Sequence, residues 1–127
     1  MIEAVLDASA LLAYLREEPG SDRVDDVLGR AVITSVNWAE VVQKSLSAGV
    51  EVEGLRQDLL ALGLVVEPFS AGDADTAARL WAQTRRLGLS LADRACLSLG
   101  LRLNLPVLTC DRAWAELRLP LPIVLLR

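Results

Sequence analysis

Strands alternating with helices along this chain predict an α/β fold, a parallel sheet covered on both faces. Two observations carry that expectation. Short apolar runs, several rich in β-branched residues, recur at 2–6, 31–34, 64–67, 107–109 and 123–126. Stretches with helical spacing separate them, and Gly or Pro closes most of those stretches.

The first run, 2–6, is short and apolar and suits a buried strand. Asp7 arrives where it stops. Ala8, Ser9 and Ala10 follow, and Leu11, Leu12 and Leu15 begin a helix that Glu17-Glu18-Pro19-Gly20 breaks. A second helix is expected at 21–28, with Val24, Val27 and Leu28 inward, and a strand at 31–34. Helices then fill 35–48 and 52–62, stopped by Gly49 and Gly63. The strand at 64–67 closes at Pro68. The longest helix is expected over 71–87, ended by Gly88, and the next over 91–103, ended near Asn104 and Pro106. A strand at 107–109, a short helix at 111–117 and a last strand at 123–126 complete the chain. No internal repeat, low-complexity tract or linker interrupts residues 1–127, which read as a single domain.

Composition narrows the function classes. The chain has no His, and Cys96 and Cys110 form no C-x-x-C pair, which excludes a Cys/His zinc site and any His-dependent triad. No apolar run approaches the roughly 20 residues that span a bilayer, and the start lacks a secretory signal pattern. A cytoplasmic location is the expectation. Seventeen acids against 13 bases give a net charge of −4 with no basic block, so nonspecific grip on nucleic acid should be weak. Hydrophobic content is 53%, and part of that excess is expected in a dimer or partner interface.

Four acids stand where chemistry is expected. Asp7 and Asp111 each follow a predicted strand and precede a helix, at the carboxyl edge where open α/β sheets gather ligands. Each is equally suited to capping that helix. Ser9 and Thr109 offer hydroxyls beside the two strand-end acids, suited to orient a ligand or a metal-bound water. Asp93 heads an apolar helix face that continues through Cys96, Leu97 and Gly100; a capping box with Ser90 and a metal ligand are both open there. Glu40 lies on the polar side of its helix, away from Trp38, Val42 and Leu46, where a pair with Lys44 or a capping box with Asn37 would also account for it. Carboxylates gathered in one cleft repel, and a hard divalent cation with oxygen ligands relieves them. Mg²⁺ or Mn²⁺ would then activate water for phosphodiester hydrolysis.

In this setting the sequence resembles the PIN-domain ribonucleases, and within them toxins of the VapC type. V-L-D-A-S-A-L-L-A-Y-L is similar to the family's opening motif, W-A-E-V-V to its second, L-S-L-A-D-R-A-C to its third and V-L-T-C-D to its fourth. The four occur in matching order over nearly the whole chain. The resemblance implies a three-layer α/β/α sandwich with a central parallel sheet of about five strands. It implies an Mg²⁺-dependent endoribonuclease, homodimeric, and inhibited by a cognate VapB-type antitoxin. Carried over by position, Asp7, Glu40, Asp93 and Asp111 match the acidic quartet that binds metal, and Thr109 matches a supporting hydroxyl. Many family members carry a further acid two residues after the fourth-motif Asp; this chain has Ala113, which puts a second metal in question.

Two other classes compete. One is a catalytically silent PIN-like interaction module. The other is a phosphohydrolase of haloacid-dehalogenase type, disfavoured because Ser9 stands where that family has a second Asp and the only lysine is Lys44. Tyr14, Trp38, Trp81 and Trp114 are too scattered to form a base-stacking platform, and core packing is expected for most. Arg112 adjoins a proposed ligand; Arg85-Arg86 reads as solvated charge.

Overall fold

The structure is a computed structural model describing residues 1–127. Its centre is a five-stranded sheet in the order β3-β2-β1-β4-β5, with every neighbouring pair parallel. The strands are β1 (Ala4–Leu6), β2 (Ala31–Thr34), β3 (Val65–Glu67), β4 (Val107–Thr109) and β5 (Ile123–Leu125). Strand β1 is the middle one, with Val5 paired to Val32 of β2 on one side and Val107 of β4 on the other.

Side chains alternate across a strand, and here the alternation divides the interior into two cores. Ala4, Leu6, Ala31, Ile33 and Leu108 face one side. There they meet α1 (Ala8–Leu15), α2 (Ser21–Val27), α3 (Ser35–Ser47) and α4 (Leu55–Ala61) through Leu11, Val24, Val41 and Leu59. Val5, Val32 and Val107 face the other side, against Cys96, Leu97 and Leu99 of α7 (Leu91–Leu103), together with Leu80, Leu89 and Trp114. The α5 helix (Ala71–Arg79) packs along α7. The expected three-layer α/β/α sandwich with five parallel strands is therefore the observed architecture. No helix is long and apolar enough to cross a membrane.

Two glycines fix close approaches. Gly63 has φ +105°, and a Cβ there would lie 2.7 Å from the carbonyl oxygen of Gly29, so the turn into β3 requires both the conformation and the missing side chain. Gly100 is helical, but a Cβ there would meet Val107 at 2.6 Å and Leu121 at 2.8 Å. Its absence lets α7 lie directly on β4.

The expectation of one long helix over 71–87 is corrected. The segment divides into α5, α6 (Trp81–Thr84) and a 3-10 turn, Arg85–Leu87. The Thr84 hydroxyl is drawn back onto the carbonyl oxygen of Leu80 at 2.8 Å, and such back-bonding bends helices. The longest helices are instead α3 and α7, each of 13 residues. The segment after Asp111 is a 3-10 helix, Arg112–Glu116, capped by that residue.

Candidate active site

Asp7 ends β1 and caps α1, so one residue serves both elements. Its side chain is only 5% exposed. Oδ1 accepts from the Ser9 hydroxyl at 2.7 Å and from the Ala10 backbone N–H at 2.8 Å, while Oδ2 accepts from the Thr109 hydroxyl at 2.5 Å. Burial pushes the carboxyl up to about 6; the hydrogen bonds from Thr109, Ser9 and Ala10 oppose that rise, and the Asp93 charge adds to it. The site thus holds a carboxylate that has lost its water and lacks a positive partner.

The end of β4 is tied to the same point. Thr109 is buried and accepts the Asp111 backbone N–H at 3.0 Å while donating to Asp7. Ser9 accepts the Cys110 backbone N–H at 2.9 Å. These two hydroxyls fasten the carboxyl ends of β1 and β4 together around Asp7. The Asp111 carboxylate itself is exposed and accepts the Ala113 N–H at 3.0 Å, an N-cap bond.

Glu40 and Asp93 come from the two helix layers. Glu40 Oε1 accepts from Asn37 Nδ2 at 2.9 Å, and the same nitrogen donates to the carbonyl oxygen of Ala92 at 3.0 Å. Asp93 and Ser90 form a reciprocal capping box at the start of α7, with bonds of 3.0 and 3.1 Å. One turn along α7, the fully buried Cys96 lies beneath these acids. Its thiol is held well above its ordinary range, first by burial and then by the charges of Asp7, Asp93 and Glu40. The Asp7, Asp93 and Glu40 carboxylates, from three different elements, are thus near enough for their charges to be felt at Cys96.

Of the five residues expected to act, Thr109 bonds Asp7 directly, while Asp93 is held in its capping box and Glu40 by Asn37, with no direct bond from either to Asp7. Asp111 reaches the group through its backbone bond to Thr109. The expected Glu40–Lys44 pair does not form: no ion pair in the structure involves either residue. The inner face of α3 also differs from expectation. Asn37, Val41 and Ser45 are buried, whereas Leu46 is exposed and Trp38 and Val42 are half-covered. Apolar count misled here, because a fully hydrogen-bonded Asn is as well suited to burial as a Trp. The Asn37–Glu40 pairing weighed from the sequence does form, but between the two side chains rather than as a capping box, because the N-cap of α3 is Thr34; Thr34-x-x-Asn37-x-x-Glu40 runs along one helix face. Among the aromatics, Trp114 is core, while Trp81 is exposed with the Arg85 guanidinium 5.0 Å from its ring centre. Arg112 is exposed and donates to the Arg127 carbonyl at 3.4 Å.

The donor set is oxygen: the Cys96 thiol is fully buried, and the half-buried Cys110 thiol donates to the Ser9 carbonyl at 3.7 Å, both held above the ordinary thiol range chiefly by burial. No three Asp, Glu, Cys or His side chains converge closely enough to cage an ion by themselves. This fits Mg²⁺, which is typically held by one or two carboxylates and keeps several of its waters. Asp7, with the Asp93 charge beside it, is the carboxylate that would gain most from such an ion.

Comparison with known proteins agrees with this fold. The PIN domain family profile matches residues 4–119. No curated protein sequence matches the chain. Among solved structures, a toxin-antitoxin complex from Klebsiella pneumoniae is similar over 95% of this chain and 100% of its own, at 17% identity and TM-score 0.72. The DNA-bound VapBC of Salmonella typhimurium is similar over 100% of both chains, at 17% identity and TM-score 0.69. FitAcB from Neisseria gonorrhoeae is similar over 95% of this chain and 96% of its own, at 20% identity and TM-score 0.68. At such identities the likeness is one of fold.

Proposed function

This chain belongs to the PIN-domain family, and we propose that it is a divalent-metal-dependent endoribonuclease acting as the toxin of a toxin–antitoxin pair. The observation that supports the chemistry best is the buried Asp7 carboxylate, held by two hydroxyls and the Ala10 N–H, with no cationic partner and with the Asp93 charge near enough to raise it further. A carboxylate so stripped of water gains most from a cation. Bound Mg²⁺ or Mn²⁺ supplies an activated water and neutralises charge that develops on a phosphodiester.

The chain's own residues set the rest. Thr109 and Ser9 fix the rotamer of Asp7, so its free lone pairs keep one direction. Glu40, placed on α3, adds negative charge on the side opposite β4. The exposed Asp111 carboxylate is free to accept a proton from solvent or substrate. The usual covalent routes are poorly supplied: the chain lacks His, its only Lys is exposed on α3, and burial raises both thiols, Cys96 and Cys110.

The antitoxin half rests on the solved relatives, which include toxin–antitoxin complexes and VapBC and FitAcB assemblies. An antitoxin Arg entering the acidic cleft would pair its carboxylates bidentately in place of the metal. Homodimerisation is proposed from exposed apolar side chains, among them Leu46, Val50, Leu60, Leu62 and Val65, which a lone copy leaves in water.

The test is purified chain, freed of any partner, incubated with end-labelled RNA. Cleavage is expected with Mg²⁺ or Mn²⁺ and not with EDTA, and it should vanish in Asp7→Asn. Metal-independent cleavage, or activity that survives that substitution, contradicts the mechanism. A metal-replete chain that leaves RNA intact favours the silent module.

A further inference from the structure

Asn37 is a polar residue in an apolar place. It is 1% exposed, on the inner face of α3, where burial of an unpaired amide would cost on the order of 1–3 kcal/mol. Every polar group of its side chain is used. Oδ1 accepts from the Thr34 hydroxyl at 2.8 Å, and Nδ2 donates one proton to Glu40 at 2.9 Å and one to the Ala92 carbonyl at 3.0 Å. Only one orientation of the amide satisfies this set, because the reversed group would set its oxygen against a carboxylate and a carbonyl, neither of which has a proton to give.

The two protons of Nδ2 therefore join α3 to the start of α7 at the residue preceding Asp93. Glu40 has no other hydrogen-bond or ion-pair partner within the chain. We propose that Asn37 is the positioning residue for Glu40: it clamps that carboxylate to the head of α7, at the residue before Asp93. The inference rests on the nuclease reading above and assigns to one amide the spacing between two of its acids.

Helix capping does not account for the side chain. The N-cap of α3 is the Thr34 hydroxyl accepting the backbone N–H of residue 37 at 3.0 Å, a bond that needs no Asn side chain. Asn37→Ala keeps that cap and removes only the clamp. A freed Glu40 samples its rotamers in solvent, and any charge it contributes near the cation is diluted among them.

Four proteins decide the matter: wild type, Asn37→Ala, Glu40→Gln and the double variant. Two readouts are needed, the Mn²⁺-induced rise in melting temperature and the metal-dependent rate of RNA cleavage. Asn37→Ala is expected to shrink the Mn²⁺ response, to lower cleavage about tenfold at subsaturating Mn²⁺, and to recover in part as Mn²⁺ is raised. In the Glu40→Gln background the same change should cost little more, since a residue that acts through Glu40 has nothing left to position. Asn37→Ser leaves a hydroxyl for Thr34 but reaches neither Glu40 nor Ala92, and it carries the same expectation if the alanine variant does not fold. Losses that multiply in the double variant, or an Asn37→Ala protein with the wild-type Mn²⁺ response and rate, overturn the role of Asn37 alone. A wild type with neither cleavage nor Mn²⁺ response overturns the nuclease reading, and this inference with it.

Discussion

Replacing Asp7 by Asn should make the metal-free protein more stable at neutral pH while abolishing its activity. The fold raises the Asp7 carboxyl from 3.8 to about 6. A folded value above the unfolded one means that the native state prefers the protonated acid. That preference stabilises fully below pH 3.8 and is lost as pH rises through about 6. A rise of about two pH units corresponds to about 3 kcal/mol that the ionised group forfeits at pH 7.5. Asn keeps the acceptor for Ser9 and Ala10 but presents an N–H₂ to Thr109, whose hydroxyl must turn from donor to acceptor. That rearrangement costs on the order of 1 kcal/mol. The net gain is about 2 kcal/mol, or about 8 °C in melting temperature for a chain of this size. Melting curves of both proteins in EDTA from pH 4 to pH 8 provide the assay. The gap should be absent or reversed near pH 4, open through pH 6 and level off above it. Saturating Mg²⁺ should then raise wild type and leave Asp7→Asn where it was, narrowing the gap. An Asp7→Asn protein that melts at or below wild type at pH 7.5, with no pH dependence in the difference, refutes the claim that Asp7 is a desolvated, unpartnered charge.

Asp111 should behave differently because its carboxylate is exposed and capping. Asp111→Asn is expected to leave metal-free melting within about 0.5 kcal/mol of wild type, since Asn caps as well as Asp; a loss of RNA cleavage despite that would separate a chemical role from a structural one. Gly100→Ala forces a methyl into Val107 and Leu121 where α7 lies on β4, and overpacking of this kind costs about 1–3 kcal/mol. Denaturant titration should show the midpoint falling with an unchanged slope.

Much of this architecture was legible because local and global preferences agree in it. Strand β2, helix α7 and strand β4 were expected at 31–34, 91–103 and 107–109, the bounds they have in the structure. In each, β-branched density or helical spacing meets an unambiguous stop. The region 71–87 was misread because helical spacing persists through Thr84, while the break comes from one hydroxyl turning to a carbonyl, which no periodicity registers. The role of Asn37, weighed only as a capping partner of Glu40, was half legible for a related reason. Its importance lies in a bond to Ala92, 55 residues away in sequence, and long-range polar contacts leave no periodic trace. The capping alternatives weighed for Asp7, Asp93 and Asp111 are all realised as geometry. Capping and acid chemistry need not compete, because a cap orients a carboxylate while leaving lone pairs free.

The central place of β1 gives the chain a built-in timing. The strand that ends in Asp7 is made first, yet it pairs with β4, about a hundred residues later, and Thr109 and Cys110 are the groups that lock Asp7 and Ser9. A nascent chain carrying β1, β2 and β3 has half a sheet with an open edge and an acid without its hydroxyl partner. Parallel pairings of such long sequence separation close slowly and late. Whatever chemistry this pocket supports, it cannot begin until β4 has been made and has paired with β1. A partner supplied during that interval would meet its target before the target is armed.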